Sequence, residues 1–86
     1  MASCELVIRP SVHKDVRGIP PKDLRRILER MEALRENPRP ANSVKLSGQE
    51  SYRVRQGNYR IIYEVDDANH IVVIAKVGHR REIYRP

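Results

Sequence analysis

Phenylalanine and tryptophan are absent from this sequence, and Cys4 is its only cysteine. Any core must therefore be filled by Leu, Ile, Val and the four tyrosines. A lone cysteine excludes an internal disulfide framework and fits a reducing compartment. At position 4 it reads as a small apolar residue of a first strand rather than a nucleophile. His13, His70 and His79 lie far apart in the chain, so no zinc-type Cys/His spacing exists and no metal is expected. No apolar run of signal-peptide length opens the chain and no segment approaches a membrane span, which predicts a soluble cytoplasmic protein. There is no Walker loop or dinucleotide fingerprint, so no cofactor is expected. Neither a Ser-His-Asp or Cys-His arrangement nor the paired carboxylates of a glycosidase are suggested.

Positive charge is abundant. The formal net charge is +6 with a pI near 10, and thirteen of the seventeen basic residues are arginine. Such a balance points to a polyanionic partner, either nucleic acid or an acidic protein. Guanidinium grips phosphate or carboxylate bidentately and stacks on bases. The 86 residues predict one domain spanning 1–86. A chain of this size buries about 60–65% of its unfolded surface, enough for a single modest core.

Cys4 to Ile8 reads as a first strand, followed by Arg9-Pro10. Ser11 suits the N-cap of a short helix carrying Val12 and Val16, halted by Gly18. Pro20 and Pro21 suit the start of a long helix, where a missing amide donor costs little. Leu24, Ile27, Leu28, Met31 and Leu34 recur at helical spacing and predict one apolar, core-facing stripe. The segment from Asn37 to Ser43 ends the helix as an irregular stretch, and Gly48 is placed in a turn. Asp66 to Asn69 forms a second turn. His70 to Gly78 is nearly continuously apolar and predicts a strand covered on both faces or central in the sheet. The order strand-helix-helix-strand-strand-strand predicts a small α+β domain, a mostly antiparallel sheet with helices packed on one face.

The organising stretch is Leu46 to Val65. Tyr52 to Gln56 alternates apolar and arginine, Gly57-Asn58 is a turn dipeptide, and Tyr59 to Val65 is rich in β-formers. A two-residue loop with Gly first suits a type II′ turn. It pairs Gln56 with Tyr59, Arg55 with Arg60, Val54 with Ile61 and Arg53 with Ile62. Opposed residues share a face and faces alternate along a strand. Arg53, Arg55 and Arg60 are therefore expected on one open face, and Tyr52, Val54, Ile61 and Tyr63 on the face that receives the long helix. Like charges opposed across strands are unfavourable, which suggests that an anion belongs there. A plain solvated face is the alternative. The residues alone support binding of a phosphate polyanion. Arginines holding a scissile phosphate, with Tyr84 stacking on a base, would be a step further.

Three stretches together resemble the RelE/ParE superfamily of toxins from type II toxin–antitoxin pairs. They are Lys45-Leu46-Ser47-Gly48, Tyr52 through Tyr63, and Val77-Gly78-His79-Arg80-Arg81-Glu82-Ile83-Tyr84. Arg9 to Asp15 and Ile19-Pro20 fit the same pattern, so the resemblance covers almost the whole chain. For the RelE branch it implies a RelE-like, microbial-RNase-like fold and a bacterial or archaeal toxin. It also implies a ribosome-dependent endoribonuclease that cuts A-site mRNA by metal-free 2′-hydroxyl attack. Arg53, Arg55, Arg60, Arg80, Arg81 and Tyr84 match its catalytic positions, and Lys45, Arg53, Arg55, Arg60 and Arg81 its RNA-binding ones. The implied partners are the ribosome, mRNA and an acidic RelB-like antitoxin. The chain departs from the best-known member by carrying arginine at two hairpin positions where that member has lysine. Arginine stays protonated, so general-base work by Arg55 is disfavoured and His79 becomes the candidate proton carrier. A structural role for His79 stays open. The ParE branch, which poisons DNA gyrase, and a non-catalytic nucleic-acid-binding scaffold are the competing readings.

Overall fold

A computed structural model describes residues 3–46 and 50–79. Its elements are β1 (Glu5–Ile8), α1 (Val12–Asp15), α2 (Pro21–Glu36), β2 (Val44–Lys45), β3 (Ser51–Gln56), β4 (Tyr59–Asp66) and β5 (Ile71–His79). They build a five-stranded sheet of order β1-β5-β4-β3-β2. Only β1 and β5 run parallel, and the other neighbours are antiparallel. The α+β class and mostly antiparallel sheet match the expectation. β2 is additional, two residues immediately after the stretch read as irregular, and it pairs Val44 with Arg53 and Lys45 with Tyr52.

Local signals explain most boundaries. Ser11 occupies the N-cap of α1 but caps through its backbone carbonyl, which accepts from Lys14 and Asp15, rather than through its hydroxyl. Pro20 is the N-cap of α2 and Pro21 its first helical residue, where the amide would have no intrahelical partner. The helix stops at Glu36 because Asn37, which precedes Pro38, is extended at φ −140°. Gly57 has φ +59° and Asn58 has a negative φ, the pattern of a type II′ turn. At the β4–β5 turn the Asp66 carboxylate accepts from the backbone and side-chain amides of Asn69. These bonds hold the Asp66 carboxyl below the usual carboxylate range. The placement of Gly48 in a turn falls outside the described residues.

The core lies between α2 and one sheet face. Ile27, Met31 and Leu34 pack with Tyr52, Val54, Ile61, Tyr63, Val65, Val72, Ile74 and Val77. Each such aliphatic side chain contributes about 1.5–3 kcal/mol on burial. Tyr52 and Tyr63 stack with ring centroids 5.7 Å apart and supply aromatic bulk to a core without Phe or Trp. The Tyr63 hydroxyl donates to the Pro38 carbonyl at 2.7 Å, and burial raises its pKa. Cys4 is buried beside the helix end, where its N–H donates to the Arg35 carbonyl.

The stripe is not uniformly core. Leu28 is 47% exposed, because one position round the helix from the buried Ile27 it turns away from the sheet toward the short α1. Leu24 and Leu28 instead line a shallow apolar groove with Ile8, Val12, His13, Val16 and Met31.

β5 is paired on both sides but is not regular. Tyr63 pairs with Ile74 and Ile62 with Lys76, so Ala75 is an extra residue, a β-bulge. The parallel neighbour β1 reaches only to Ile74. Past the bulge, the Val77 N–H is taken by the Asp15 carboxylate at 3.1 Å.

Candidate phosphate-binding site

The observed hairpin ladder is the expected one: Arg53↔Ile62, Val54↔Ile61, Arg55↔Arg60 and Gln56↔Tyr59. Arg53, Arg55 and Arg60 consequently share the sheet face turned away from α2. They differ in exposure. Arg55 is exposed, Arg53 is half-buried, and Arg60 is only 3% exposed. The expectation that all three sit on an open surface is corrected at Arg60. Its strand is interior to the sheet, and its neighbour on β5 is Gly78, whose missing side chain leaves room for a guanidinium.

These residues wall a cavity of about 380 Å³ with Arg30, Asn42, Val44, Gln56 and Gly57. The paired part of β2 ends opposite Arg53, so β3 offers an open edge from Val54 to Gln56 in the described structure. Past that edge Arg30 reaches from α2, its Nε donating to Gln56 Oε1 at 3.2 Å. Four guanidiniums therefore line one cavity, and among the described residues no carboxylate does.

Several carboxylates of the described residues are engaged elsewhere. Glu64 accepts both bonds of Arg9 at 3.0 Å, and Glu32 pairs with Arg35. Arg39 forms a hub, donating to both oxygens of Asp67, to Glu50 and to the Tyr52 hydroxyl. Its guanidinium also lies 5.2 Å from the centroid of the Tyr52 ring. The Tyr52 hydroxyl donates to Glu50 at 2.8 Å. The Tyr52 bond, with Arg39 and Lys45 behind it, pulls the Glu50 pKa down to about 2. Arg39 likewise lowers Asp67, and these partners raise the pKa of Arg39.

The remaining sequence candidates separate. Lys45 pairs across the sheet with Tyr52, on the helix-side face, and its ammonium lies 3.3 Å from Glu50. It is not in the cavity. His79 is opposite Tyr59, on the same helix-side face as Gln56, and meets the Tyr59 ring edge-on at 5.7 Å. Arg80, Arg81 and Tyr84 lie outside the described residues. Arg30, Asn42 and Val44 were missed from the sequence. Arg30 had a readable signal, since it flanks the buried positions Ile27, Met31 and Leu34 rather than the solvent side of α2. Asn42 and Val44 had none.

Permanently protonated guanidiniums around one cavity can hold a phosphodiester and stabilise charge developing on it. Fold and site together define a small α+β protein with an arginine-lined cavity at the edge of its sheet. Comparison with known proteins then places it. The profile of the ParE toxin of the type II toxin–antitoxin system, parDE, matches residues 6–84, and the chain belongs to this ParE/RelE toxin family. It is 35% identical over 82 residues to RelE1 of Methanocaldococcus jannaschii, covering 91% of each chain. It is 31% identical over 77 residues to toxin RelG of Mycobacterium tuberculosis, covering 87% of this chain and 88% of that protein. The archaeal RelE–RelB complex of Pyrococcus horikoshii OT3 contains a chain of the same fold. Its TM-score is 0.79 at 28% identity, over 91% of this chain and 96% of that one. No helix among the described residues is long and apolar enough to cross a membrane.

Proposed function

We propose that this toxin is a ribosome-dependent mRNA interferase. The carrying observation is the cavity lined by Arg30, Arg53, Arg55 and Arg60 with no carboxylate of the described residues on its walls. In this reading Arg60 forms the floor and holds the scissile phosphate with Arg53, while Arg55 at the rim guides the strand in. A ribose 2′-oxygen forms a bond to phosphorus and the bond to the 5′-oxygen breaks, leaving a 2′,3′-cyclic phosphate and a 5′-hydroxyl. The 2′-proton goes to a base and the leaving oxygen takes up a proton. The arginines offset the extra negative charge on the phosphorane, which is where preorganised donors act most strongly. Tyr84 is the candidate for proton transfer and Arg80 and Arg81 for the second half of the phosphate clamp, whereas His79 sits on the sheet face opposite the arginines.

A cytoplasmic acidic antitoxin of the RelB kind is the proposed partner. The net charge of +6 supports it, as does the likeness to chains solved in RelE–RelB complexes.

The deciding experiment is primer extension on a defined mRNA in a ribosome-programmed reaction, with wild type beside Arg60→Ala. Discrete ribosome-dependent cuts in the A-site codon, lost in the variant, are expected. Because the matched profile is named for ParE, gyrase inhibition is the second reading. Intact mRNA together with inhibited gyrase supercoiling would select it.

A further inference from the structure

The cavity is larger and more cationic than one phosphodiester requires. At about 380 Å³ it falls in the range of about 300–1,000 Å³ that encloses organic ligands. Its four guanidiniums come from three elements, Arg53 and Arg55 from β3, Arg60 from β4 and Arg30 from α2. Arg30 approaches from the opposite face of the sheet, around the open edge of β3, and its Nε bond to Gln56 fixes the plane of the guanidinium. With its oxygen turned to Arg30, Gln56 presents its amide NH₂ as a donor. The same walls include Asn42 and, paired with Arg53 on β3, Val44, which is 47% exposed, a polar and an apolar contact for a nucleoside.

Resting on the RNA-cleavage reading, we infer that Arg30 and Gln56 form a second phosphate subsite. The cavity accepts two consecutive phosphates of single-stranded RNA with the nucleoside between them against Val44 and Asn42. Arg30 is then a substrate-positioning residue that fixes the register of the strand relative to the phosphate on Arg60. Charge-assisted bonds to a phosphate justify an effect of roughly tenfold in affinity.

The test uses the full chain and 2′-O-methyl dinucleotides, which bind but cannot be cut, carrying either one or two phosphates. Wild type is expected to bind the two-phosphate probe about tenfold more tightly than the one-phosphate probe. Arg30→Ala should abolish that preference while keeping the one-phosphate affinity. Gln56→Glu, which would neutralise Arg30 in place, should weaken it similarly. Arg25→Ala, on an exposed part of the same helix, should leave it unchanged. Thermal melts check that each variant is folded. Arg30→Ala binding with the full preference, or wild type showing none, overturns the subsite. A preference present without ribosome-programmed cleavage overturns the interferase reading and leaves the subsite standing.

Discussion

Asp15, on the short helix α1, accepts the backbone N–H of Val77, 62 residues away, at 3.1 Å. The bond falls where β5 has outrun its parallel neighbour β1, so a side chain does what a strand does elsewhere. An unsatisfied, partly buried donor costs about 1–3 kcal/mol. Asp15→Ala is expected to destabilise the fold by that amount, and Asp15→Asn, which keeps an acceptor, by less. Urea unfolding of the two variants checks the order. Equal losses would mean that carboxylate charge, not the hydrogen bond, matters at this position.

Arg60→Ala should cost far more activity than Arg35→Ala. Arg60 is the buried cation of the cavity, whereas Arg35 is paired with Glu32 at the far end of α2. Losing one preorganised charge-stabilising donor lowers a rate by about 10²–10³. Arg35→Ala should stay within about threefold of wild type, because an exposed pair contributes little. Single-turnover cleavage on programmed ribosomes measures both, and similar losses would remove Arg60 from the site.

Acid should loosen the hub around Arg39. The folded pKa of Glu50 is depressed to about 2 from an ordinary 4.5, and Asp67 is lowered as well. A depressed carboxylate contributes stability that is complete above its unfolded pKa and is lost as pH falls through its folded pKa. The loss therefore falls between about pH 4.5 and pH 2, with no change near neutrality. Glu50→Gln is expected to flatten the melting-temperature curve across that window, and a curve parallel to wild type would contradict it.

Leu28 and Ile27 are sequence neighbours with opposite environments, 47% and 0% exposed. Ile27→Ala should cost about 2–5 kcal/mol by leaving a cavity. Leu28→Lys should change stability by no more than about 0.5 kcal/mol. Chemical denaturation of the pair tests the placement.

The hairpin was the most legible part of the chain. Side-chain alternation and the Gly57-Asn58 dipeptide are local, and together they determine the register and the shared face of Arg53, Arg55 and Arg60 without any tertiary contact. The proline start of α2 and its Asn37-Pro38 end were legible for the same reason. β2 was not, because a two-residue strand after a proline-rich stretch carries no periodicity. The burial of Arg60 depends on what lies beside it on β5, which pairing in the hairpin does not reveal. Periodicity also could not separate Leu28 from Ile27, since both fall on the apolar arc and only what packs against each side of the helix decides which is covered. The separation of Lys45 and His79 from the cavity likewise follows from strand pairings outside the hairpin.

Ala75 acts as a half-step in the two-beat rhythm of the last strand. Were the ladder to run evenly through it, Lys76 would stand opposite Ile61 in the core and Val77 would stand against Arg60. With Ala75 left out of the pairing, Lys76 turns to solvent, Val77 enters the core, and Gly78 comes to rest beside Arg60. Room for the buried guanidinium is thus a matter of counting residues, and the identity of the side chain at position 75 is secondary to its presence.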